Sequence, residues 1–351
     1  MKGLDVDLQL PFPERTNPRR GTAAQRNLEW LRAHDMLRGP EAAALYERWN
    51  IAGLAAASFP DLELDDLCLA VDQCAFYFLF DDQFDSELGL DPAEVARVCA
   101  PLIELTRTEP GDRPAIEIPD TPVNSAFADL WRRGSKGMSP RWRARASYHW
   151  EWYFAAHPNE ALGRTLAAEA ERNGTGAAIP SRDAYMLLRR GASGVETVLD
   201  MVERFHREVP AIAFHSPELR QMRLLAGDAP AINNDVWSYD KEAPRGDVYN
   251  LVVILQHERQ CGREEAQAAV QAQAQWMVDE WVRLSEELPR LCKRLGLDRG
   301  ERQAVEQYRD GMAGWMRGYF DWERSTVRYQ AEGRLPVDRP NFVERLLSRR
   351  W

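Results

Sequence analysis

The sequence predicts an all-α protein, and three observations carry that prediction. Apolar and aromatic residues recur at three-to-four spacing through long stretches of good helix formers. No segment reads as a strand with turn signals at both ends. Prolines fall mainly between the periodic stretches, at Pro40, Pro60, Pro92, Pro110, Pro122, Pro140, Pro180 and Pro210. Pro230 is the exception, inside an otherwise helical stretch that it is expected to kink or restart. The chain has 351 residues, 44% of them apolar, enough for one large core. No repeat or low-complexity linker divides it, so residues 1–351 are read as one domain of about ten helices or more.

Composition narrows the function. A formal net charge of −10 argues against nucleic acid as a main partner. Mean hydropathy is −0.51, and no apolar run approaches the ~18 residues of a membrane span. The opening "MKGLDVDLQLPFPERTNPRR" carries charge throughout and lacks the apolar centre of a signal peptide, which makes the cytoplasm the expected location. Cys68, Cys74, Cys99, Cys261 and Cys292 are scattered without CxxC spacing and read as reduced core thiols.

Taken in order, the first unusual element is "FLFDDQFD", residues 78–85, where an aromatic run ends in Asp81, Asp82 and Asp85. Leu67, Val71, Cys74, Phe78, Asp81 and Asp85 follow one another by four, three, four, three and four, which is one helix face. Asp81 and Asp85 therefore fall on the apolar side, while Asp65, Asp66, Asp72 and Gln73 fall on the side expected to be solvated. Burying two unpaired carboxylates costs several kcal/mol each, so a cation is expected to meet them, most simply a metal ion.

"YMLLRRGASG", residues 185–194, places Arg189 and Arg190 before two glycines, a helix interruption that frees backbone N–H groups for an anion. In "NNDVWSYDKE", residues 233–242, Asn234, Ser238 and Glu242 form a column of roughly 12 Å drifting only ~80° around the helix. An amide, a hydroxyl and a carboxylate in a row suit Mg²⁺. Lys241 lies on nearly the same face, positioned for an anion held by that metal, and Ile232 and Val236 on the opposite side are expected to be buried. Two long helices are expected over 262–296 and 299–324, followed by Arg328 and Tyr329 in "DWERSTVRY", good donors to phosphate oxygens. Together these patches suggest a metal-bound diphosphate.

In this order and spacing the motifs resemble those of bacterial class I terpene synthases. "DDQFD" is similar to the family's aspartate-rich motif, "NDVWSYDKE" to its Asn/Ser/Glu metal triad, "RRGASG" to its pyrophosphate-sensor segment and "RY" to its C-terminal Arg-Tyr pair. Arg190 lies 44 residues before Asn234 and Arg328 lies 94 after it, about where family members place them. The resemblance runs from about residue 10 to the end and implies a single-domain helical bundle around a central cavity, capped by the N-terminal segment of about 1–20. It implies three Mg²⁺, with Asp81 as main ligand on the acidic side, Asp85 beside it, and Asn234, Ser238 and Glu242 opposite. Arg190, Lys241, Arg328 and Tyr329 match diphosphate donors, and Gly194 the effector whose carbonyl faces the breaking bond. Ser193 stands where many relatives carry an acid. Tyr77, Phe78 and Trp322 match cavity aromatics. The implied substrate is a prenyl diphosphate, farnesyl diphosphate being the one most relatives use, with a sesquiterpene as product; the resemblance also admits a homodimer. The alternatives are a cyclase of geranylgeranyl diphosphate, a prenyl-elongating synthase, which would carry a second aspartate-rich motif in place of the triad, and a non-enzymatic helical protein with an incidental cation site.

Overall fold

The computed structural model describes residues 8–85, 87–108, 112–175, 178–243, 247–330 and 344–347. The regular elements among the described residues are helices, with no strand among them. In chain order the helices are α1 (Arg20–Ala33), α2 (Pro40–Trp49), α3 (Ile51–Ser58), α4 (Leu64–Asp81), α5 (Pro92–Arg107), α6 (Pro122–Ser135), α7 (Pro140–Arg172), α8 (Arg182–Ala192), α9 (Val195–Phe205), α10 (Ala211–Phe214), α11 (Pro217–Glu242), α12 (Leu251–Arg259), α13 (Arg263–Arg294) and α14 (Arg299–Ser325). None is long and apolar enough to cross a membrane.

Local chemistry explains the boundaries. Pro40, Pro92, Pro122 and Pro140 do not merely separate helices but open them, at the first position, where a missing N–H costs nothing. Asp91, Thr121, Ser139 and Ser216 cap α5, α6, α7 and α11 with side-chain oxygens, and Asp298 with Glu301 closes a reciprocal box on α14. Pro230 neither ends nor restarts α11, which runs through it, as α5, α7 and α13 run through Pro101, Pro158 and Pro289. The expected interruption falls between α8 and α9 at Ser193 and Gly194, and Ile232 and Val236 are buried. Four of the five cysteines are buried and Cys261 is half-buried, all of them free thiols.

One face of α4 departs from expectation. Asp72 and Gln73 are buried, not solvated. Arg133 and Asn27 each donate to Asp72 at 2.8 Å, and burial still pushes its carboxyl up to about 6 against the pull of Arg133. Gln73 donates to the Tyr77 hydroxyl at 2.6 Å and to the Thr197 carbonyl at 3.2 Å. α4 is thus enclosed on both sides, packing on α1, α3 and α6. Asp65 and Asp66 keep their exposure to solvent in full and in part.

A backbone approach between α3 and α14 positions the far wall of the site. A Cβ on Gly318 would lie 2.4 Å from the backbone nitrogen and Oγ of Ser58, and one on Gly314 would lie 2.5 Å from the Ser58 carbonyl. Beyond this crossing the Trp322 indole N–H donates to the Trp49 carbonyl at 2.7 Å and the Thr326 hydroxyl to the same oxygen at 2.9 Å. These contacts fix the end of α14 and so place Arg328 and Tyr329. Of the N-terminal segment, residues 1–7 lie outside the described residues. Gln9 exchanges two hydrogen bonds with Gln275, the Phe12 ring meets Trp281 edge-on at 5.2 Å, and the Asn17 N–H donates to the Ala56 carbonyl at 2.9 Å. The described part of the segment therefore runs along α13 and α3, and none of it lines the central cavity.

Gly318→Ala should lower Tm by several degrees, because the overlap with the Ser58 backbone costs ~1–3 kcal/mol, more than the helix propensity of alanine returns. Gly21→Ala in α1, where a Cβ meets nothing within 4 Å, should leave Tm unchanged or raise it. Equal Tm shifts for the two variants in a thermal melt would show that the α3–α14 crossing does not depend on glycine.

Candidate active site

The helices enclose a cavity of about 810 Å³ of empty space, its open mouth included. Cys74, Tyr77, Phe78 and Asp81 reach it from α4, as the helix-face reading requires. Tyr153 comes from α7, Trp315 and Tyr319 from α14, and Asn234, Lys241 and Glu242 from α11.

After Asp81 the α4 helix tightens into a 3₁₀ turn over Asp82–Asp85. With three residues per turn, positions i and i+3 eclipse, so Asp82 and Asp85 share one side and the four-residue phase linking Asp81 to Asp85 is lost. Lys241 Nζ bridges the eclipsed pair, 3.1 Å from Asp82 and 2.8 Å from Asp85. Arg328 grips Asp82 with both guanidinium nitrogens at 2.7 and 2.6 Å. Burial alone would raise the Asp82 pKa, but Arg328 and then Lys241 overcome it and hold the carboxyl below its usual range. Asp81 differs: half of its side chain is accessible, through the cavity. Burial on its other side and the charge of Asp85 raise its pKa despite Lys241.

Across the cavity, the Asn234, Ser238 and Glu242 column stands as the spacing predicted on α11. Asn234 and Glu242 line the cavity, and Ser238 is buried between them with no hydrogen-bond partner for its Oγ among the described residues. An orphaned hydroxyl between an amide and a carboxylate is the chemistry a hard cation takes up. Among the described residues no three His, Cys, Asp or Glu side chains gather to hold a metal, so the column depends on its amide and hydroxyl members. Glu242 accepts from Asn250 at 3.0 Å, and burial with Asp247 and Asp235 nearby pushes its carboxyl up to about 7. The Asn234 amide nitrogen donates to the Tyr329 hydroxyl at 2.7 Å and to Glu323 at 2.8 Å, while its oxygen accepts from Arg189 at 3.0 Å.

The structure places three of the expected site residues away from the cavity lining. Arg190 does not reach the cavity: its guanidinium is bound to Asp228 at 2.7–3.2 Å over a separate small recess. Arg189, one residue and about 100° away on α8, lines the cavity instead and also meets Asp235 at 3.2 Å. The Gly194 carbonyl is taken up at the start of α9, where the Thr197 hydroxyl donates to it at 2.7 Å and the Thr197 N–H at 3.1 Å, and Gly194 does not line the cavity. What Gly194 supplies is space, since at φ +66° a Cβ would press 3.1 Å from the rings of Tyr77 and Tyr153. Trp322 is a core residue behind the wall, bonded to Trp49 and 4.9 Å from the Phe78 ring. Phe78 holds its place in the cavity, with the Arg328 guanidinium 4.8 Å from its ring, and Tyr77 stacks on Trp150 at 5.5 Å.

Sequence reasoning passed over Arg189 as a cavity residue, the ion-pairing of Asp82, and Tyr153, Trp315 and Tyr319. For the last pair a signal existed, aromatics four apart on the helix that carries Trp322.

A helical bundle around an aromatic cavity, with acids and cations paired at one side, is the architecture of the class I terpenoid synthases. Residues 72–280 match the family described as terpene synthase family 2, C-terminal metal binding, and the chain belongs to that family. It is 36% identical to pristinol synthase of Streptomyces pristinaespiralis, over 93% of this chain and 85% of the relative. Pentalenene synthase of Streptomyces avermitilis is 35% identical, over 98% of each chain. A (−)-β-caryophyllene synthase of Saccharothrix espanaensis, whose name specifies cyclisation of (2E,6E)-farnesyl diphosphate, is 34% identical over 97% of this chain and 93% of its own. Among solved structures, germacradien-4-ol synthase of Streptomyces citricolor superposes with a TM-score of 0.79 at 43% identity, covering 92% of this chain and 99% of its own.

The raised carboxyl of Glu242 predicts a pH effect. Its folded pKa of about 7 lies above the ordinary 4.5, so the folded state keeps a proton that the unfolded chain releases first. This contribution to stability is complete below about pH 4.5 and is lost as pH rises through about 7. Without metal or diphosphate, Tm should therefore fall between pH 5.5 and pH 8, and Glu242→Gln should flatten the fall. An identical slope in that variant would mean that Glu242 titrates normally.

Proposed function

We propose that the chain is a Mg²⁺-dependent sesquiterpene cyclase that ionises farnesyl diphosphate, cyclises the allylic cation and releases diphosphate. The observation that carries this reading is the pair of polar runs beside an aromatic cavity, ion pairs from Asp85 through Lys241 and Asp82 to Arg328, and hydrogen bonds from Tyr329 through Asn234 to Arg189. Relatives whose names specify cyclisation of (2E,6E)-farnesyl diphosphate support the choice of a fifteen-carbon substrate.

Asp81 and Asp85 on one wall, with Asn234, Ser238 and Glu242 opposite, would hold three Mg²⁺ together with diphosphate oxygens, and those ions supply positive charge to the leaving group. Lys241, Arg328 and Arg189 donate to the diphosphate, each by exchanging a protein oxygen for a phosphate oxygen, and the Tyr329 hydroxyl donates beside them. Charge that develops on the leaving group is met by donors already in place, so the C–O bond breaks without a strong base or nucleophile. The allylic cation left behind faces Tyr77, Phe78, Tyr153, Trp315 and Tyr319, whose ring faces stabilise it by ~0.5–2 kcal/mol each without reacting.

Purified protein given farnesyl diphosphate and Mg²⁺ should release inorganic diphosphate and a cyclic hydrocarbon or alcohol, and stop when chelator is in excess. Full turnover in excess EDTA sinks the reading. Arg189→Ala should lower turnover by about 10²–10³, and Arg190→Ala by far less, since its guanidinium lies at Asp228 over a separate recess and does not line the cavity. The reverse order would make Arg190 the diphosphate donor.

The aromatics separate by product analysis. Phe78→Leu keeps an apolar wall but loses a ring face, so product ratios should shift toward early-quenched products at a modest cost in substrate consumption. Trp322→Leu should lower Tm instead, since it leaves part of the indole volume empty and loses the bond to Trp49. A changed product ratio with unchanged Tm for Trp322→Leu would restore it to the cavity.

A further inference from the structure

Resting on the metal reading above, we infer that Glu323 is a positioning residue that fixes which end of the Asn234 amide faces the cavity. An asparagine amide has two ends of nearly equal size and opposite chemistry, and turned by 180° it fills the same space while offering N–H donors where a ligand oxygen is needed. The α11 backbone sets where Asn234 stands but leaves this rotation open. Something outside the helix has to choose.

Glu323 is placed to do so. It lies on α14, 1% exposed, and its Oε1 accepts from Asn234 Nδ2 at 2.8 Å. The Tyr329 hydroxyl accepts from the same nitrogen at 2.7 Å, and Arg189 donates to Asn234 Oδ1 at 3.0 Å. A guanidinium has donors only, and the Glu323 oxygen stands as an acceptor. The three contacts are satisfied together in one orientation, with the nitrogen toward α14 and the oxygen toward Arg189 and the cavity. Reversed, the amide would turn its oxygen toward Glu323 Oε1 and its N–H toward the Arg189 guanidinium.

Asn233, which has no part in the metal column, gains a role here. Its Nδ2 donates to Glu323 Oε2 at 2.9 Å, so the carboxylate is held at both oxygens by consecutive residues of α11. Asn233 Oδ1 has no hydrogen-bond partner among the described residues. Asn233 can therefore turn over once position 323 offers it a donor, whereas Asn234, held by Arg189 as well, cannot. The two amides are distinguished by what they meet at their far ends, Arg189 for one and nothing for the other.

The test reads binding, not turnover. Calorimetry gives the Mg²⁺ concentration at which the full-length protein half-maximally binds inorganic diphosphate, and thermal melts without Mg²⁺ give Tm. Glu323→Met keeps the volume and removes the acceptor, so its Mg²⁺ midpoint should rise about 10-fold or more, as loss of a group behind a metal ligand does. Glu323→Gln should stay within about threefold of the wild type, because Asn233 can turn its oxygen to the new N–H and leave the glutamine oxygen facing Asn234. Glu323→Leu is the second apolar variant should Glu323→Met not fold. Either apolar variant, folded and with a wild-type midpoint, overturns the inference, and so does a Glu323→Gln midpoint as high as that of Glu323→Met, which would make the effect one of charge. A lowered Tm with an unmoved midpoint assigns Glu323 to packing alone. Asn234→Ala is the control for the underlying reading: if its midpoint too is unchanged, the metal assignment itself fails, whereas a large rise there with none in Glu323→Met removes only the role of Glu323.

Discussion

A buried carboxylate must meet a cation, and Asp82 meets two. Asp82 and Arg328 are 3% and 4% exposed at their side chains, and Lys241 joins them from α11. Three distant parts of the chain converge on this carboxyl: the turn that ends α4, the end of α11, and the segment beyond α14. Desolvating the three groups costs several kcal/mol per ion, so the cluster is weak evidence for net stability. Removing one partner is another matter, leaving a buried charge that costs ~3–5 kcal/mol. The cluster thus acts as a constraint on geometry, holding the wall that carries Asp81 at a fixed distance from the wall that carries Asn234.

The α3–α14 contact serves the same constraint from behind. Gly314 and Gly318 let the two backbones touch, and the Trp49 carbonyl receives both Trp322 and Thr326. Arg328 follows directly, its guanidinium held between the rings of Trp49 and Phe78 at 4.6 and 4.8 Å. The aromatic lead-in to the acidic turn, which the sequence displays as "CAFYFLF", therefore provides a surface for the arginine as well as a cavity wall.

Whatever depended on local periodicity was legible in the sequence. The α4 face from Leu67 to Asp81, the α11 column, the break at Ser193 and Gly194, and the extents of α13 and α14 all follow from spacing and propensity. What escaped depended on neighbours far along the chain. Arg189 and Arg190 are identical in type and adjacent in sequence; Asn234 and Asp228, six residues apart on α11, decide which guanidinium turns inward. The tightening of α4 after Asp81 exchanged the expected Asp81–Asp85 phase for an Asp82–Asp85 pair that Lys241 can bridge. Asp72 and Gln73 looked solvated on a helical wheel because a wheel shows one helix, whereas α1, α3 and α6 all pack against α4.

These differences share a direction that bears on how the site works. Polar groups expected to be exposed or to await a ligand already have protein partners: Lys241 has Asp82 and Asp85, Arg328 has Asp82, and Arg189 has Asn234 and Asp235. On the proposed function, cations and diphosphate enter the cavity together, so each protein acid can pass from a protein cation to a metal as each protein cation passes from an acid to phosphate. Both kinds of partner change while local charge stays close to balanced. An isolated acidic cavity would repel the diphosphate, and an isolated basic one would repel the metal. Paired beforehand, the site would favour the two in combination, and on the proposed function the cations held by acids in the ligand-free protein are the ones that would turn to the leaving group.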